Sequence, residues 1–253
     1  MGLIIAANWK MHKTVADTAA FCRTITKDAE QFSGVEVLIC PPFTALAAAQ
    51  ETLKGSSLKL GAQNLHFAQQ GAFTGEIAAP MLLELGVEYV IIGHSERRHL
   101  MGEGDDLVRQ KVKAALDNGL RPILCVGETE KQREDGLTEK VIEKQLAGAL
   151  EGLSAEETES LVVAYEPVWA IGTGKAASTE DAESAAALIR RYFKAKLGEK
   201  AAASLRVQYG GSVKAENIGS YVSLPSVQGA LVGGASLDAE TFSALVKAAR
   251  KAV

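Results

Sequence analysis

The strongest constraint on this chain is an alternation that runs from one end to the other. Short apolar runs at residues 3–8, 35–40, 58–63, 87–93, 122–127, 161–166, 205–209 and 228–232 are separated by stretches with helical patterning. Several runs are apolar throughout, as in Val90-Ile91-Ile92, which suits strands covered on both faces. Eight strand–helix units without a break in composition imply a parallel sheet. An open doubly wound sheet is the alternative. Eight repeats in 253 residues favour closure into an α/β structure of the (β/α)8 type, a single parallel eight-stranded closed barrel. No Ser/Gly linker or charge block divides the chain, so one domain, 1–253, is expected. The runs share no strong self-similarity, so the repeat is architectural only.

Local signals punctuate the pattern. Thr14 can cap the first helix, and Pro80 suits the first turn of a short third helix ended by Gly86. Asp117-Asn118-Gly119 closes the fourth, Thr138 with Glu139 opens the fifth, and Ser178-Thr179-Glu180-Asp181 opens the sixth.

In a closed parallel barrel the chemistry sits at the carboxyl ends of the strands. The first run leads into Asn8-Trp9-Lys10 and the fourth into Gly93-His94-Ser95-Glu96. The sixth ends on Glu166, the seventh leads into Gly210-Gly211-Ser212, and the eighth into Gly233-Gly234. Each alone has a bland reading: a solvated lysine, a capping or core histidine, an exposed glutamate, simple glycine turns. Together they make a coherent set. The glycine turns after the last two runs let backbone N–H groups approach an anion such as a phosphate. Lys10 and Asn8 can polarise a carbonyl and offset developing negative charge. His94 and Glu166 can act as acid and base on neighbouring atoms. The set suits proton abstraction next to a carbonyl of a small phosphorylated compound.

Glu166 also stands at the root of a loop. Pro167, Val168 and Trp169 on one side and Thr173, Gly174 and Lys175 on the other flank an apolar tip, Ala170-Ile171, next to Gly172. A stiff hinge, a greasy tip and a permissive glycine hinge read as a lid that excludes water.

Other classes are disfavoured. A net charge of −4 without a basic stripe argues against nucleic acid. No apolar run is long enough to span a membrane, and the first residues lack a basic leader. Three cysteines without CxxC spacing suggest reduced thiols, hence a cytoplasmic protein. Gly174-Lys175 ends like a phosphate loop, but Trp169 occupies the required upstream glycine position and Ala176 replaces Ser/Thr. The histidines show no metal-ligand spacing, so no metal and no cofactor is expected.

These residues resemble the triosephosphate isomerase family. The blocks that carry the likeness are Asn8-Trp9-Lys10-Met11, Gly93-His94-Ser95-Glu96-Arg97-Arg98, the run from Ala164 to Lys175, Tyr209-Gly210-Gly211-Ser212 and Leu231-Val232-Gly233-Gly234. They follow the family's order over essentially the whole chain, with Ala7 where the family often has Gly and His12 where it often has Asn. The resemblance implies the TIM-barrel fold and interconversion of dihydroxyacetone phosphate and glyceraldehyde 3-phosphate. Glu166 would be the base and His94 a neutral electrophile. Lys10 would attract the phosphate and stabilise the enediolate, and Asn8 would assist at the oxyanion. Ser95 would hold Glu166, and Glu96 would orient Lys10 and His94. Ile171, Gly172, Ser212, Leu231, Gly233 and Gly234 would hold the phosphate or cover it. Cys125 would pack near Glu166. Phe73, Thr74, Gly75 and Glu76 resemble the loop that family members insert into a partner subunit, which implies a homodimer. Competing readings are another phosphosugar isomerase, a Schiff-base aldolase and a catalytically inactive binding barrel.

Overall fold

The computed structural model of the chain describes residues 2–172 and 175–253. Eight strands form one closed, all-parallel barrel in sequence order. They are β1 (Leu3–Asn8), β2 (Val35–Cys40), β3 (Lys59–Ala62), β4 (Tyr89–Ile92), β5 (Arg121–Val126), β6 (Val162–Tyr165), β7 (Arg206–Tyr209) and β8 (Gly229–Val232). β1 and β2 pair along their full length, from Leu3 opposite Val35 to Asn8 opposite Cys40. β8 returns to β1, with Ile4 opposite Gly229 and Ala7 opposite Val232, and this pairing closes the ring.

Side chains along each strand alternate between two apolar environments, which is why the runs read as apolar throughout. Ile4, Ala6, Leu38, Cys40, Tyr89, Ile91, Ile123, Cys125, Val162, Ala164 and Leu231 fill the barrel interior. Ile5, Ala7, Val37, Ile39, Val90, Ile92, Leu124, Val126 and Val163 point outwards into the layer shared with the helices.

That outer layer contains α1 (Val15–Thr26), α2 (Leu46–Leu53), α3 (Ala79–Glu84), α4 (Ser95–Leu100), α5 (Asp105–Asp117), α6 (Glu130–Glu134), α7 (Thr138–Leu150), α8 (Thr179–Leu197), α9 (Glu199–Ser204), α10 (Ile218–Val222) and α11 (Ala239–Lys251). Thr14 caps α1 in a reciprocal box with Asp17, and Ser178 caps α8 by accepting from the Asp181 N–H at 3.0 Å. Gly86 and Gly119 end α3 and α5 with φ of +68° and +77°.

Thr138 is the first residue of α7, as the sequence reading has it, with Leu137 in the cap position and without a side-chain bond. The added α6 has its own box, in which Thr129 and Gln132 cap each other's backbone. β3, β4, β5 and β6 end one residue earlier than their apolar runs, where the backbone turns into the loops that carry polar groups. The ladder still extends one bond further at the site, since the Glu166 N–H donates to Val126 O at 2.7 Å and the Gly210 N–H to Tyr165 O at 2.7 Å.

The amino end of the barrel is closed by a polar plug. Tyr89 Oη donates to Glu36 Oε1 at 2.8 Å, Arg206 bridges Glu36 and Tyr89, and Arg121 Nη1 donates to Tyr89 Oη at 2.9 Å. This leaves the opposite end free to carry a cleft. Among the described residues, no helix is long and apolar enough to cross a membrane.

Candidate active site

The end of β1 is held in an unusual backbone. Lys10 has φ +52°, a left-handed conformation that costs a non-glycine residue about 1–2 kcal/mol. Its N–H donates to Asn8 Oδ1 at 3.0 Å, and its carbonyl accepts from Gln63 Nε2 at 2.9 Å. The conformation sends the side chain past Gly233, where an added Cβ would sit 3.5 Å from Lys10 Cε. Lys10 Nζ then meets Glu96 Oε1 at 2.6 Å. Trp9 ties the same strand end to the turn after β8, donating from Nε1 to Ser236 O at 3.0 Å while its ring packs edge-on against Phe21.

α4 begins at the end of β4, with His94 as its cap. His94 Nδ1 accepts the Glu96 backbone N–H at 3.2 Å, so the start of the helix aims a donor at the ring. His94 Nε2 lies 3.0 Å from Glu166 Oε1, and Glu166 Oε2 accepts the Ser95 backbone N–H at 2.8 Å. The hold of Ser95 on Glu166 is therefore a main-chain contact. Glu96 reaches both Lys10 and, at 3.5 Å, His94 Nδ1.

Glu166 is 2% exposed. Space for it exists because two neighbours are glycine: an added Cβ at Gly127 would lie 1.8 Å from Glu166 O, and one at Gly210 2.9 Å from Glu166 Cγ. Burial alone would push the carboxyl up. His94, the Ser95 N–H and Lys10 more than offset that and hold its pKa below the ordinary value. For His94, burial pushes the pKa down, and the carboxylates of Glu166, which touches the ring, and Glu96 together hold it above its ordinary value, with the Lys10 charge opposing them. The Glu96 amide opposes that pull, because a protonated Nδ1 would face an N–H donor. A neutral ring with its proton on Nε2 satisfies both contacts, and we assign that tautomer. The Cys125 thiol, buried on β5, is raised well above its ordinary value by burial and by Glu166, so it packs near Glu166 as an uncharged thiol.

Asn8, Lys10, His94, Glu166, Ile171, Gly172, Ser212, Leu231, Gly233 and Gly234 all line one cleft of about 820 Å³. Residues from five strand ends and the loop after β6 thus converge. Thr173 and Gly174, read as lid hinges, lie outside the described residues. Three of the other hinge residues, Val168, Trp169 and Lys175, bond to the segment after β5. The Val168 N–H donates to Glu128 O, Trp169 Nε1 donates to Glu128 Oε1 at 2.9 Å, and Lys175 pairs with Glu130 at 3.2 Å. Past the loop, the Ala177 N–H donates to Tyr209 Oη at 3.0 Å and Ala177 O accepts from Tyr221 Oη at 2.6 Å. The sequence reading missed Glu128 and Gln63, because each is a lone side chain whose partner lies far away in the chain.

Thr74, Gly75 and Glu76 are exposed on the loop after β3. Phe73 is 44% exposed and leans on its own loop, its ring centroid 4.1 Å from that of His66. Among the described residues, no group of three His, Cys, Asp or Glu could hold a metal ion.

A family model described as triosephosphate isomerase matches residues 3–249. Among curated proteins, a triosephosphate isomerase of Carboxydothermus hydrogenoformans is 52% identical over 243 residues, covering 96% of this chain and 97% of that protein. One of Symbiobacterium thermophilum is 51% identical, covering 98% of this chain and 97% of that protein, and one of Aquifex aeolicus is 50% identical, covering 97% and 99%. Agreement of that depth and extent shows that the chain belongs to the triosephosphate isomerase family.

Proposed function

We propose that this isomerase interconverts dihydroxyacetone phosphate and D-glyceraldehyde 3-phosphate through an enediolate, with Glu166 as base and His94 as electrophile. The observation that carries the assignment is the contact of a buried Glu166 carboxylate with His94 Nε2 at 3.0 Å, in the cleft that Lys10 also lines. The substrate carbonyl oxygen takes the place of the Glu166 carboxylate as acceptor of the His94 Nε2 proton. The freed carboxylate removes the proton from the adjacent carbon, and that C–H electron pair moves into the new C=C bond as the carbonyl pair moves onto oxygen. His94 gives its Nε2 proton to that oxygen and takes one from the neighbouring hydroxyl. Protonated Glu166 then returns its proton to the other carbon, and the enzyme ends as it began.

Lys10 offsets the charge that develops on oxygen, and Asn8 stands beside it. The N–H groups of Gly172, Ser212, Gly233 and Gly234 hold the phosphate, with Ile171 and Leu231 as apolar cover. Water exclusion by the lid matters because an exposed enediolate can expel its phosphate. We further assign the chain as one domain, 1–253, acting as a homodimer in which Phe73, Thr74, Gly75 and Glu76 enter the partner near its Asn8 and Lys10. A cytoplasmic setting is supported by three cysteines that are free and buried.

A coupled assay on the purified protein with glyceraldehyde 3-phosphate tests the reading. Turnover to dihydroxyacetone phosphate is expected. Binding of the phosphorylated triose without turnover would contradict it.

A further inference from the structure

We infer that Gln63 is a positioning residue for Lys10, holding the lysine in the strained backbone that aims its side chain into the cleft. The inference rests on the reading of Lys10 as a site group. Gln63 follows β3, and its Nε2 donates to Lys10 O at 2.9 Å and to Cys40 O at 2.9 Å. Cys40 O also accepts the Trp9 N–H at 3.2 Å, the bond that carries the β1–β2 ladder past its end. Gln63 is thus anchored on the ladder and grips the next carbonyl along, that of Lys10. The grip falls at a residue that sterics disfavour, with φ +52°. With the Asn8 side chain on its N–H and Gln63 on its carbonyl, both backbone groups of Lys10 are fixed by side chains. Without Gln63 the peptide after Lys10 is free to relax to a right-handed or extended conformation. That turns the side chain away from Glu96, 2.6 Å distant, and from the Gly233 turn.

The test is a double-mutant cycle of wild type, Gln63→Leu, Lys10→Ala and the double variant. It is read in kcat and KM for glyceraldehyde 3-phosphate and in competitive inhibition by inorganic phosphate. Gln63→Leu is expected to lower kcat/KM by roughly 30-fold, about 2 kcal/mol, and to weaken phosphate inhibition. The double variant is expected to fall no further than Lys10→Ala alone. A residue with a general structural role would instead multiply the two losses, and multiplied losses, or a Gln63→Leu protein equal to wild type, would overturn the proposal. If Gln63→Leu does not fold, Gln63→Glu keeps the shape, removes the donors and enters the same cycle. Absence of turnover in the wild type would count against the isomerase reading, and the cycle read in phosphate affinity would still decide whether Gln63 acts through Lys10.

Discussion

His94 is subject to opposing pulls: burial, the Lys10 charge and the Glu96 amide favour the neutral ring, and the Glu166 and Glu96 carboxylates favour the charged one. Removing the carboxylate charge tips the balance. In Glu166→Gln the His94 pKa is expected to fall below its wild-type value, because burial remains and the largest upward pull is gone. An NMR titration of the ring nitrogens in both proteins reads this directly. An unchanged or higher value in the variant would mean that Glu166 is not the group that sets the His94 charge. The sequence reading identified both residues, since each stands at a strand end within a distinctive block. It did not reveal the backbone of Lys10: a left-handed lysine leaves no trace in composition, and its supports, Asn8 and Gln63, are 2 and 53 positions away.

At the scale of elements, the loop after β6 runs from Glu166 to Ile171 and Gly172 along one wall of the cleft. Its first hinge is clamped by Glu128, which takes bonds from Trp169 and Tyr165, while Ile171 and Gly172 reach the cleft. Deleting residues 171–174 should leave the barrel folded and raise release of inorganic phosphate from the intermediate, measured beside isomerisation. Unchanged isomerisation without added phosphate would remove the lid from the account. The clamp was not legible in the sequence, because Glu128 is one acid among many until the fold brings Trp169, 41 residues later, against it.

The plug at the amino end answers to stability. Burial raises the Glu36 carboxyl, but hydrogen bonds from Arg206 and Tyr89 and the charges of Arg206 and Arg121 outweigh it and hold the pKa below the ordinary 4.5. A carboxyl with a depressed folded-state pKa stabilises the fold above its unfolded value, and the effect is lost as pH falls through the folded one. Glu36→Gln should therefore cost roughly 2 kcal/mol near neutral pH, with the gap to wild type closing in acid below 4.5. Thermal melts of both proteins across that range check this. A gap that stays constant would show that the charge of Glu36 is not what stabilises.

Taken whole, the molecule was legible in its runs because a closed parallel barrel buries both faces of every strand. Ile4 and Ala6 face in and Ile5 and Ala7 face out, so no polar alternation interrupts the pattern. Assembly was less legible. Phe73, 44% exposed, rests its ring on His66 of its own loop and stands with Thr74 to Glu76 in one exposed segment, and a single chain carries no sign of what that segment meets. If that segment completes the partner's Lys10 region, specific activity should fall as the protein is diluted into monomers, followed by sedimentation and assay at matched concentrations. Full activity in the monomer would confine the site to one chain.

The turnover of Glu166→Gln tests most directly whether the Glu166 carboxylate moves the proton. The variant keeps the size of the side chain and an acceptor for the Ser95 N–H, so inorganic phosphate should still compete for the cleft. Its kcat for glyceraldehyde 3-phosphate should fall by at least about 1,000-fold relative to wild type, roughly 4 kcal/mol of lost transition-state stabilisation. Near-normal turnover in a folded, phosphate-binding Glu166→Gln would contradict the account.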